Sequence, residues 1–129
     1  MRKPILILSI VLIANILLTA CAPNSDASAK AVEDYWNTIV AKDAERLPTL
    51  VCGDWEEEAL TALDSLQAVS ARLENFSCSQ TGADGDIVLV NCTGDMVLTY
   101  DTEDQKIDLS INTYEVIEEG GDWLVCGTR

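Results

Sequence analysis

Residues 88–116 read VLVNCTGDMVLTYDTEDQKIDLSINTYEV, and the spacing of their apolar side chains decides the fold. Val88, Val90, Met96 and Leu98 fall on alternate positions, as do Ile107, Leu109 and Ile111 beyond the polar run 101–105. Successive strand side chains point to opposite faces, so a period of two marks half-buried β-strands, and the Asp/Thr/Glu run between them marks a turn. Tyr114 and Val116 continue the second series one residue out of phase. A bulge near Asn112-Thr113 returns them to the same face. With that bulge, Ile107 is expected opposite Leu98, Leu109 opposite Met96, Tyr114 opposite Cys92 and Val116 opposite Val90, which makes one inner face apolar throughout.

Further turn signals at 81–86 and 119–122 extend the hairpin into four strands from about Arg72 onward. Upstream the period lengthens. Val32, Tyr35, Trp36, Ile39 and Val40 sit at i, i+3, i+4, i+7 and i+8, the stripe of an amphipathic helix, with Asp26 or Ser28 as its cap. Asp43 is expected to cap a brief second helix that buries Leu47, Leu50 and Val51 and is shortened by Pro48. Glu56, Glu57 and Glu58 suit the start of a third helix, which should run to about Ala71 and bury Ala59, Ala62, Leu63, Leu66 and Val69. Helices first and a meander sheet after them predict one α+β domain over 29–129, its N-terminal helices packed on a curved four-stranded antiparallel sheet.

The same registers place the cysteines. A turn centred on Gly85 sets Cys78 opposite Cys92, and a turn centred on Gly120 sets Cys126 opposite Tyr114, so Cys78, Cys92, Tyr114 and Cys126 form one row. Cys92 and Cys126 are then two strand spacings apart, about 9.5 Å, beyond the roughly 7 Å that a disulfide spans. The favoured pairs are Cys78–Cys92 and Cys52–Cys126. Cys52–Cys78 is the alternative if a bulge changes a register.

The chain opens with Met1-Arg2-Lys3, an apolar run from Ile5 to Leu18 broken only by Ser9 and Asn15, and then Thr19-Ala20-Cys21. That is the order of an export signal over 1–20, and it is short for a bilayer-spanning helix. Leu18-Thr19-Ala20-Cys21 resembles the lipobox of bacterial lipoproteins, which implies a diacylglyceryl thioether on Cys21. A lipidated tether over 21–28 would follow, on the outer side of the membrane. Ala22 stands where an inner-membrane retention aspartate would be. An even set of four further cysteines suits disulfides in such a compartment.

Two of the eight basic residues and none of the 22 acidic ones precede Cys21, so residues 21–129 carry a formal charge of −16. Nucleic acid should be repelled. There is no histidine, which argues against zinc sites, Ser-His-Asp triads and Cys-His nucleophiles; no metal or cofactor is expected. Asp84-Gly85-Asp86 lacks the spaced ligands of a calcium loop and reads as a hairpin turn. Asn75-Phe76-Ser77 and Asn91-Cys92-Thr93 match the glycosylation pattern and read as strand residues.

The segment VEDYWNTIVAKDAERLPTL at 32–50, a third helix and a sheet ending in GGDWLVCG at 120–127 together resemble the nuclear transport factor 2-like, cystatin-like superfamily. They are similar in particular to small exported lipoproteins of that type with no assigned function. The resemblance implies a cone in which a curled sheet wraps the first helix. The superfamily holds binding and scaffold domains as well as isomerases and dehydratases, so the fold does not choose among them. None of Asp34, Tyr35, Tyr100 or Tyr114 matches a catalytic motif position. Two functions remain. One is a non-catalytic, lipid-anchored domain that binds a small apolar ligand or an envelope protein, and the other is a small cone-pocket enzyme using carboxylate and tyrosine groups. Tyr35, Trp36 and Tyr114 are the candidate pocket residues, and a partial cavity is expected beside Tyr35 or Tyr114.

Overall fold

The computed structural model describes residues 25–129, so the expected signal segment and the lipidation site Cys21 lie outside the described residues. Helix α1 spans Ser25–Val40. Its first turn takes Ser25–Ser28 from the expected tether and places Asp26 and Ser28 inside the helix rather than at its cap. The alternating Ala27, Ala29 and Ala31 favour helix, and burial of Ser28, whose hydroxyl lies 3.5 Å from Gln80 Oε1, ties this turn to the sheet.

The expected second helix is only a 3-10 turn, Leu47–Thr49. Pro48 has no N–H to continue a helix. Asp43 does not cap it: the turn starts from Arg46 without a side-chain cap, and Asp43 Oδ1 instead accepts from the Arg46 N–H at 3.0 Å in the preceding turn, while Leu47 and Val51 are buried. A second 3-10 turn, Gly53–Trp55, leads into α2, Glu56–Ser65. Helix α2 stops six residues before Ala71. Leu66, Gln67 and Val69 donate to carbonyls three residues back, tightening the chain, and Ser70 to Leu73 are held instead in a strand ladder with Thr99 to Met96. Ala59, Leu63, Leu66 and Val69 are nevertheless buried as expected.

The sheet is open, antiparallel and five-stranded: β1 (Ser70–Asp84), β2 (Ile87–Tyr100), β3 (Glu103–Asp108), β4 (Thr113–Glu119) and β5 (Asp122–Thr128). The strand β2 is central. Strand β1 pairs along one of its edges, β3 and β4 pair in succession along the other, and β5 follows β4. The four expected strands become five because the third is broken. Asp108 Oδ1 accepts from the Ser110 N–H at 2.8 Å and turns Leu109–Ile111 into a 3-10 turn. The break does the work assigned to a bulge at Asn112-Thr113, restoring Tyr114 and Val116 to the inner face. It also leaves Leu109 outside the ladder but still buried in the core as expected, and Ile111 73% exposed, against its expected inner placement.

The pairings differ from expectation by one strand period. Ile107 faces Met96, Tyr114 faces Val90 and Val116 faces Val88. The β2–β3 turn holds only Asp101 and Thr102, with Asp101 at φ +55°, where a five-residue turn was expected. A slip of two keeps every side chain on its own face, whereas a slip of one would have inverted it. Helix α1 lies against β1, β2, β4 and β5. Val32, Tyr35, Ile39, Val90, Tyr114, Val116 and Val125 close the core between them. On the other face Val97 is fully buried, paired between Arg72 and Lys106, whose aliphatic stems can cover it while their charges stay in water.

Candidate functional site

The i, i+4 geometry of α1 carries Tyr35 and Trp36 toward the sheet, where the 3-10 break has set Tyr114 on the inner face. Trp36 Nε1 donates to Tyr114 Oη at 2.9 Å. The two rings meet edge to face at 6.3 Å, and Tyr35 meets Trp36 the same way at 5.4 Å. Tyr35 is 4% and Tyr114 2% exposed. Burial pushes the Tyr35 hydroxyl up to about 12; the nearby Trp55 indole counters part of that rise, and Tyr114 and Glu58 add to it. Trp55 Nε1 itself is buried without a well-formed hydrogen bond. Burial also raises Tyr114, against the opposing pull of Trp36 and Asn112. Both phenols are neutral at ordinary pH, so they can donate hydrogen bonds but are poor bases.

An isomerase-type site needs a carboxyl group in the same dry interior. Among the described residues the buried polar side chains are Ser28 and Thr38, and neither is acidic. The structure brings the three candidate residues together as core packing.

The disulfides join Cys78 to Cys92 and Cys52 to Cys126, with Cα atoms 4.0 and 4.9 Å apart. Cys78 and Cys92 are direct partners, as the register predicts. The hairpin turn is centred between Gly85 and Asp86, half a residue later than expected, and a bulge at Thr81 offsets the difference. Cys126 is not in the expected row. It sits at a β5 bulge opposite the Glu115–Val116 step, while Tyr114 faces Thr128. This displacement points Cys126 toward Cys52, which is held at the sheet edge by its N–H to Val125 O and by a parallel bridge between Val51 and Val125.

The larger grooves on the described surface open away from the aromatic cluster. One of about 540 Å³ runs between the first two turns of α1, the Leu47–Thr49 turn and the β4–β5 turn, and is walled by Lys30, Asp34, Arg46, Asp122 and Trp123. Another, of about 400 Å³, exposes the Cys52–Cys126 bridge among Asp54, Glu115 and Glu119. Neither is lined by Tyr35, Trp36 or Tyr114, where a cavity was expected. Sequence reasoning passed over Arg46, Asp122 and Trp123. The Gly120-Gly121-Asp122-Trp123 turn was the visible signal, but nothing in the sequence places it beside α1.

No family description matches the chain, and no curated protein matches it. Among solved structures the fold is similar to a SEC-C motif containing protein from Rhodopseudomonas palustris, with a TM-score of 0.52 and 9% identity over 80% of this chain and 79% of that one. At that identity the likeness concerns the fold alone.

Proposed function

We propose that this chain is a lipid-anchored extracytoplasmic domain that acts by binding and not by catalysis. The observation that carries the reading is the filled interior. Tyr35, Trp36 and Tyr114 are used on one another and on the core, so recognition falls to the surface. The export signal, the Leu18-Thr19-Ala20-Cys21 sequence and two disulfides support an oxidising compartment outside the cytoplasm. The nuclear transport factor 2-like superfamily remains part of the reading, supported by helices layered on one face of a bulged antiparallel sheet. The partners are the membrane, through the lipid, and an envelope component met at the surface.

Fatty-acid labelling in cells tests the anchor. Wild type should take up label and Cys21→Ser should not; equal labelling and equal processing of the two would remove Cys21 from the reading. Thermal denaturation with a panel of apolar metabolites tests the filled interior. No compound should raise the midpoint. A saturating ligand at a hundred times its dissociation constant would add about 2.7 kcal/mol and would restore the pocket reading.

A further inference from the structure

We propose that the Cys52–Cys126 bridge is a thiol-exchange site, at which the folded chain takes up a positively charged thiol as a mixed disulfide. The bridge lies at the β5 edge, in the groove of about 400 Å³. Strand alternation fixes the floor of that groove. Tyr114 and Val116 are buried on the inner face, so Glu115, Ile117 and Glu119 share the outer one, and all three line the groove together with both cysteines. Cys52 and Cys126 are each only half-buried, and exposed disulfides are the ones that exchange readily.

The other bridge is differently placed. Cys92 is 2% exposed, and the recess of about 280 Å³ beside Cys78 is lined without it. Ladder pairs on both sides, Ser77 with Thr93 and Ser79 with Asn91, keep Cys78 and Cys92 face to face, so a sulfur freed there re-forms its bond. The Cys52 segment meets β5 through a short strap instead: the Cys52 N–H on Val125 O, the Val125 N–H on Leu50 O and the Val51–Val125 bridge. A sulfur freed there can draw away with the strap.

The charge around the groove selects the kind of thiol. The Glu115 carboxylate is engaged by Arg129 at 2.7 Å. Asp54 and Glu119 are exposed and stand in no ion pair among the described residues. Uncompensated negative charge beside the bridge raises the local concentration of a cationic thiol and lowers that of an anionic one. At Cys78 the lining residues Lys30 and Glu33 oppose each other in sign. In the exchange the donor's thiol gives its proton to water and the thiolate attacks one sulfur of the bridge. The S–S bond breaks with its electron pair on the other cysteine, which takes a proton from water, and a new S–S bond holds the donor. One disulfide replaces another, so no outside oxidant is needed. The chemistry is independent of the lipid anchor.

The test treats the full chain, with both bridges oxidised, with cysteamine or with mercaptoethanesulfonate at equal thiolate concentration and low ionic strength. Each rate is divided by that of the same thiol on a small neutral disulfide. After an acid quench and alkylation, peptide masses should place the first adduct and the first free thiol on Cys52 and Cys126, with Cys78–Cys92 intact. The normalised rate with cysteamine should exceed that with mercaptoethanesulfonate by about fivefold, and the ratio should fall toward one in about 1 M salt. Asp54→Asn/Glu119→Gln, two changes at exposed positions, should remove most of the preference. A first adduct on Cys78 or Cys92 would overturn the site, as would loss of both bridges together at the rate of global unfolding measured by hydrogen exchange. Equal normalised rates at low salt, or a preference that the double variant keeps, would overturn the choice of a cationic thiol.

Discussion

At the scale of single residues, Gly94 is the glycine whose backbone is most closely approached by other backbone atoms. Its φ is +99°, and a Cβ there would come within 2.5 Å of Asn75 O and 2.6 Å of Glu74 O, both backbone atoms of the β1 bulge. Side-chain motion cannot relieve that contact. Gly94→Ala should lose at least about 2 kcal/mol in urea denaturation, whereas the same change at Gly53, which meets nothing within 4 Å, should cost little. The Trp36–Tyr114 hydrogen bond gives a smaller effect. Tyr114→Phe leaves the indole N–H unpaired and should cost about 1 to 2 kcal/mol, less if water reaches the half-buried Trp36. Tyr35 sets an alkaline limit. Its hydroxyl ionises near 10 in the unfolded chain and near 12 in the folded one, so its contribution is whole below pH 10 and is lost as pH rises toward 12. Tyr35→Phe should therefore flatten the fall in stability between pH 10 and 12; an unchanged slope would show that another group governs it.

At the scale of elements, the two disulfides differ in what they join. Cys78–Cys92 crosses strands already paired in a hairpin, and Cys52–Cys126 ties the segment between the helices to the last strand across 74 residues. The chain-entropy argument gives about 3 kcal/mol for the short loop and about 4 to 5 kcal/mol for the long one. The Cys52→Ala/Cys126→Ala pair should thus lower the denaturation midpoint more than Cys78→Ala/Cys92→Ala, and the opposite order would show that the unfolded chain keeps the long-range contact. The Cys78–Cys92 pairing was legible in the sequence, because parity and turn position fix which face a strand residue takes, whereas Cys52–Cys126 was favoured only as the remaining pair, from a row that Cys126 does not occupy. What was not legible was the length of a turn and the competition for a segment. The Asp101-Thr102 turn was read three residues too long because polar residues continue past it into β3, an edge strand whose side chains are solvated. The α2 terminus was overrun because Leu66 and Val69 keep helical spacing after the chain has left the helix. Tyr35, Trp36 and Tyr114 were correctly grouped, since periodicity brings them to one layer. Whether that layer encloses a space depends on packing volumes, which no spacing pattern encodes.

At the scale of the whole molecule, 22 acidic and 6 basic side chains beyond residue 20 set a repulsion that the fold must tolerate. The cations are placed to blunt it. Glu74 is held below the usual carboxylate range by Lys106 and then Arg72, and Asp104 by Arg72 and then Thr99, in one network over Val97 on the outer sheet face. For these carboxylates the favourable pairing is present above their unfolded titration range and is lost as pH falls through the lowered folded value. Added salt has two opposing effects. It screens the network, whose exposed pairs are individually weak, and it screens the mutual repulsion of the acids that outnumber the bases beyond residue 20. The repulsion involves far more charges and acts over the whole surface, and the Debye length contracts from about 30 Å at 0.01 M to about 3 Å at 1 M. Raising sodium chloride across that range should therefore raise the thermal midpoint at pH 7. Under acid conditions that lower the net negative charge, the same addition should raise it much less, because there is less repulsion left to screen. A midpoint that falls with salt at pH 7 would mean that the Arg72–Glu74–Lys106–Asp104 network contributes more to the fold than the net charge takes from it.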